Sequence, residues 1–110
     1  MNNRTKSLGI AIIRLTKKFP NAEEFRIICK QIIRCSTSVG ANYRASNRAK
    51  SNADIVNKRK IVEEECDETM YWLEVIVELE PNLREDIAPL WKEANEILSI
   101  IVASINALRR

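Results

Sequence analysis

A chain of 110 residues can bury one hydrophobic core but is small enough to gain from a partner chain, so a single domain over 1–110 is expected. Its three cysteines, at 29, 35 and 66, are odd in number, and histidine is absent. That speaks against a disulfide scaffold or a zinc site and for small packing residues in a reducing cytosol. The net charge of +3 conceals an asymmetry: residues 1–60 hold 14 Lys or Arg against 3 acids, and residues 61–110 hold 4 against 12. Halves of +11 and −8 call for a partner or an assembly that uses them.

No stretch reads as a leader or an anchor. The apolar run Leu8 to Leu15 is short and broken by Arg14, and Ile97 to Leu108 falls below the roughly 20 residues needed to span a bilayer. A soluble, cytoplasmic protein with no membrane partner is expected.

The first helix is predicted over 6–18, where Leu8, Ile12, Leu15 and Phe19 recur at spacings of three and four. Lys17 and Lys18 would sit in its last turn, and Pro20 ends it. The second helix is predicted over 22–49, with Asn21 as N-cap and Glu24 completing a capping box. Phe25, Ile28, Ile32, Ser36, Val39 and Tyr43 form its buried stripe. Gly40 lies inside that helix, where glycine costs about 1 kcal/mol relative to alanine, so a close helix–helix approach is expected there. Asn42 is read as a buried polar residue that fixes helix register.

The third helix is predicted over 52–79, opening at Ser51 with Asp54 three residues on. Ile55, Val62, Cys66, Thr69, Leu73 and Ile76 make its stripe, widened by Met70, Trp72 and Val77, and Pro81 stops it. A short loop, 82–85, leads to a fourth helix over 87–108, with Asp86 as cap and Pro89 in its first turn. Leu90, Ala94, Ile97, Ile101, Ile105 and Leu108 repeat along it as a heptad seam. Four amphipathic helices with short joints predict an all-α, up-down-up-down antiparallel four-helix bundle, its second and third helices longer than the others.

The charges then fall into ridges. Arg26, Lys30, Arg34, Arg44 and Arg48 share one sector of the second helix, opposite its apolar stripe. Lys50, Lys58, Arg59 and Lys60 extend this charge, the last three near a helix start where the dipole disfavours cations. Local stability does not account for them. Glu63, Asp67, Glu74 and Glu78 form an acidic ridge on the third helix, within an outward sector of about 60°.

A solvated face is the bland reading of each ridge. The sharper reading of the basic one is binding to nucleic-acid phosphates by counterion release, with Tyr43 the one stacking aromatic nearby. The acidic ridge is a candidate subunit interface, complementary to the basic ridge of another copy. The carboxylates of 63–68 have no histidine to complete a di-iron site, and no cysteine has a base beside it. No enzyme, cofactor or metal is therefore expected. Arg34 with Glu64 or Glu65 is read as a structural ion pair.

The runs FPNAEEF, QIIRCSTSVGANYRAS and KSNADIVNKRKIVEEECDETMYWLE, with the pattern Arg34-x-x-x-Ser38-Val39-x-x-Asn42 and the segment Trp72-Leu73-Glu74, resemble a bacterial four-helix-bundle family. Its members are proteins encoded in intervening sequences of 23S ribosomal RNA genes, also called S23 ribosomal proteins. The resemblance implies a homopentameric ring without enzymatic activity. A related branch, the accessory variability protein of diversity-generating retroelements, implies a basic barrel that associates with a reverse transcriptase and with nucleic acid. After Asn42 the family's usual acidic-glycine pair is replaced by Arg44-Ala45, which makes the region more basic. The expectation is a homo-oligomeric bundle binding RNA or DNA backbones. Its alternative is an assembly or adaptor protein that docks a protein such as a reverse transcriptase.

Overall fold

Apolar residues at helical spacing close into four helices and no strand. The computed structural model describes all residues 1–110: α1 (Asn2–Thr16), α2 (Glu23–Ser46), α3 (Asn52–Leu79) and α4 (Arg84–Leu108), with a 3-10 turn at Pro81–Leu83. Each helix packs on the next, and α1 closes against α4. Contacting residues run in opposite senses along every pair: Gly9 and Gly40 face Ser36 and Thr5, Cys35 and Ser46 meet Thr69 and Arg59, Cys66 and Glu74 meet Ala94 and Trp91, and Arg4 and Lys18 meet Glu93 and Asp86. The neighbouring helices are therefore antiparallel. No helix is long and apolar enough to cross a membrane.

The predicted stripes supply the core. Leu8, Ile12 and Leu15 of α1, Ile32 and Val39 of α2, Val62 and Leu73 of α3 and Ile97 and Ile101 of α4 are all buried in one contiguous cluster. Cys35 and Cys66 belong to it too. Burial pushes their thiols up to about 11 and about 12, so neither is a thiolate at neutral pH.

Gly9 and Gly40 face the opposing helix across the α1–α2 seam. A Cβ on Gly40 would stand 3.4 Å from the backbone of Thr5 and Lys6, and one on Gly9 would stand 3.4 Å from the Ser36 carbonyl oxygen. The two backbones thus approach to where even a methyl would touch the opposing helix, and α2 runs through Gly40 unbroken.

The helix ends depart from the sequence reading in four places. First, α1 begins at Asn2, because Thr5 continues the Leu8 stripe one turn back and is fully buried, its hydroxyl donating to the Met1 and Asn2 carbonyls. The same helix stops at Thr16, leaving Lys17 and Lys18 in the turn beyond it. Second, Ala22 and not Asn21 is the N-cap of α2; the Asn21 side-chain oxygen accepts from Arg26 Nη1 at 3.0 Å, so the capping box does not form. That helix ends at Ser46, three residues short of the expected end. Third, α4 starts at Arg84 and winds directly out of the 3-10 turn, anchored by buried Leu83. Asp86 is consequently inside α4, where it accepts from Lys18 Nζ at 2.7 Å, and Pro89 lies past the first turn. Fourth, α4 with 25 residues exceeds α2 with 24, so α1 with 15 is the one short helix. The Ser51 cap of α3 forms as its sequence indicates, accepting from the Asp54 N–H at 3.2 Å. Asn42 binds within its own helix, donating to the Ser38 carbonyl and hydroxyl oxygens, and so fixes no register between helices.

Candidate nucleic-acid interface

Alternating helix direction gathers the start of α1, the end of α2, the start of α3 and the end of α4 at one end of the bundle. The exposed cations Arg44, Arg48, Lys50, Lys58, Lys60, Arg109 and Arg110 lie on three of these ends, those of α2, α3 and α4, and on the Asn47–Ser51 joint. None of them is in an ion pair: the chain's cations in such pairs are Arg4, Lys18, Arg26 and Arg34. Asp54 in the first turn of α3 is the acid set among them. Two helix starts and two helix ends oppose their dipoles here, so the positive field comes from the side chains.

The basic residues predicted as one ridge divide by their partners. Arg26 donates to Glu23 Oε2 at 2.8 Å, and Arg34 binds Glu65 Oε2 at 3.0 Å and also Glu68. The pairing of Arg34 is thus with Glu65 and Glu68 on α3, not Glu64. Glu68 shows the balance: partial burial pushes its carboxyl up, but hydrogen bonds from Arg34 and Trp72 outweigh this and hold it below the usual carboxylate range. Lys30 is exposed and unpaired but lies about 21 Å along α2 from Arg44, at 1.5 Å per residue.

Lys58, Arg59 and Lys60 also part company. Successive residues turn by about 100°, so they point three ways. Arg59 turns inward, donating to Ser46 Oγ at 3.3 Å with its guanidinium 5.6 Å from the centre of the Tyr43 ring. That cation–π contact closes the core end and withholds Tyr43 from stacking on a base. The free charges therefore form a collar around the bundle end. Arg109 and Arg110, which lie outside the predicted basic ridge, join it from the end of α4. The parity of four helices, which returns the last helix end to the first helix start, was the signal for them.

On the acidic ridge, Asp67, Glu74 and Glu78 are exposed, Glu63 is half-buried, and none is in an ion pair. Glu74 accepts from Trp91 Nε1 at 3.0 Å. No three of the Cys, Asp and Glu side chains are arranged to hold a metal ion. An open groove of about 330 Å³ between α3 and α4 is mainly apolar, lined by Leu73, Val77, Ile87, Ala88 and Trp91 with Glu74 and Arg84 at its rim.

Fold and surface together define a four-helix bundle whose distinguishing feature is a charged end. The chain belongs to the 23S rRNA-intervening sequence protein family, whose model matches residues 1–103. It is similar to a protein of unknown function from the S23 ribosomal protein family of Bacteroides thetaiotaomicron VPI-5482, known from its crystal structure. The two are 33% identical over 94% of this chain and 96% of that one, with a TM-score of 0.86. No curated protein matches the chain.

Proposed function

We propose that this chain is a non-enzymatic, homo-oligomeric bundle that binds the phosphate backbone of RNA or DNA through its basic collar. The observation carrying this reading is the set of unpaired Arg and Lys on three helix ends and the α2–α3 joint, with Asp54 as the acid among them. Such a group releases counterions on binding and reads no base, which suits the absence of a free aromatic beside it. The family's link to 23S rRNA intervening sequences supports a nucleic-acid context. The ring of five copies is the assembly the family resemblance implies.

Fluorescence anisotropy with a short structured RNA and a DNA duplex tests the collar. Reversing Arg44 and Arg48 to Glu should weaken both complexes at least about tenfold and flatten the dependence of log K on log salt by about 0.7–0.9 per lost contact. Unchanged affinity at low salt would remove the collar as the site. The adaptor alternative draws on a different surface, the exposed Ile27, Tyr71 and Leu79. Its mark would be a protein complex that survives collar reversal.

A further inference from the structure

Two charged stripes on this chain share one spacing and carry opposite sign. Along α1 and its C-cap, which keeps helical backbone angles, Lys6, Ile10, Ile13 and Lys17 stand at i, i+4, i+7 and i+11. On α3, Asp67, Tyr71, Glu74 and Glu78 stand at the same intervals. Each quartet falls within a sector of about 60° and spans about 16 Å, so each is a single line of neighbouring side chains. Lysines end the first line and acids end the second.

Both lines face outward with exposed apolar groups inside them. Ile10 is 40% exposed and Tyr71 is 56% exposed. Beneath Ile10 and Ile13 the glycine-spaced seam leaves a shallow groove of about 210 Å³, floored by Thr37 and Ala41 and rimmed by Lys6 and Arg44. Lys30 adds a third unpaired cation on the same side of α2. None of Lys6, Lys17, Asp67, Glu74 or Glu78 is in an ion pair within the chain. Nor can the stripes meet in one molecule, because α1 and α3 make no contact and lie diagonally across the bundle.

We infer that the Asp67–Tyr71–Glu74–Glu78 stripe of one copy seats on the Lys6–Ile10–Ile13–Lys17 stripe of a second copy, with Tyr71 entering the α1–α2 groove. This rests on the homo-oligomeric part of the function proposed above and gives that assembly its two surfaces. Each chain contributes one surface of each kind, so the contact is heterologous and repeats from copy to copy. It also shifts the basic partner of the acidic ridge from α2, where Arg26 and Arg34 are occupied, to α1. Glu63, half-buried and one turn before this line begins, stays outside the contact.

The test is mass by light scattering after size exclusion, at about physiological salt. Wild type should exceed the 12.7 kDa of one chain several-fold. The pair Lys6→Glu and Lys17→Glu should reduce it to one chain, and so should Asp67→Lys with Glu78→Lys. Combining all four reversals swaps both signs and should restore the assembly, a result that also proves the chain still folds. Reversed variants that keep the wild-type mass would overturn these surfaces while leaving the oligomer standing. A monomeric wild type would overturn both. Anisotropy with RNA, read separately on Arg48→Glu with Lys50→Glu, distinguishes a failed collar from a failed interface.

Discussion

The two ends of the bundle handle their cations in opposite ways. At the end formed by the α1–α2 turn and the start of α4, Lys18 reaches Asp86 at 2.7 Å and Arg26 reaches Glu23 at 2.8 Å. At the other end Arg44, Arg48, Lys50, Lys58, Lys60, Arg109 and Arg110, with Asp54 in the first turn of α3, form no ion pair. At the first end Lys18 and Arg26 are answered within the fold, while Lys17 and Arg84 are not; none of the collar cations is answered, and the set repels itself. Unpaired like charges held together are what a polyanion site requires, and they are a mild burden on the folded state when nothing is bound. The contrast separates charges that support the bundle from charges available to a ligand.

Breaking the collar should give the largest effect. Reversing Arg44, Arg48, Lys58 and Lys60 together is expected to abolish RNA binding in anisotropy, while the thermal midpoint holds or rises because repulsion is relieved. Removing a charge already answered should do the reverse. Arg34→Ala is expected to lower the midpoint by a few degrees, since it unties α2 from Glu65 and Glu68, yet to change RNA affinity less than about twofold.

Acid sharpens the same distinction. Glu68 is held below the usual carboxylate range by Arg34 and Trp72 against partial burial, and Glu93 is held low by its hydrogen bonds from Arg4. A carboxyl with a lowered folded pKa stabilises the fold above its unfolded value, about 4.3, and loses that contribution as pH falls through the folded value. The midpoint should therefore fall below about pH 4, and Glu68→Gln with Glu93→Gln should flatten that limb of the curve. The smallest expected effect is that of salt on the unliganded protein. Screening the collar should raise the midpoint slightly in wild type and not at all in the four-reversal collar variant. As a check on the core, alkylation at neutral pH should reach Cys35 and Cys66 only on unfolding, because burial keeps both as thiols.

Helix number, buried stripes and the Ser51 cap were legible because they depend on spacing along one chain. Helical periodicity places Leu8, Ile12, Leu15 and the Ala94–Ile97–Ile101–Ile105 seam on buried faces whatever the neighbours are. The glycine at 40 signalled close approach by its cost to a helix, although its counterpart Gly9 became evident only across the α1–α2 seam. Helix ends were less legible, since Thr5 and Leu83 become anchors only when other helices bury them.

The basic ridge shows the same limit at the site. The sequence alone determined that Arg26, Lys30, Arg34, Arg44 and Arg48 share a face of α2, because an α-helix turns by a fixed angle per residue. Arg26 finds Glu23 three residues back on its own helix, but for the others tertiary structure decided which stay free. Arg34 meets its acids 31 and 34 residues away. Arg109 and Arg110 join the collar from the far end of the chain. Periodicity governs direction around one helix, whereas the balance of charge in space depends on which helices lie side by side and which of their ends meet.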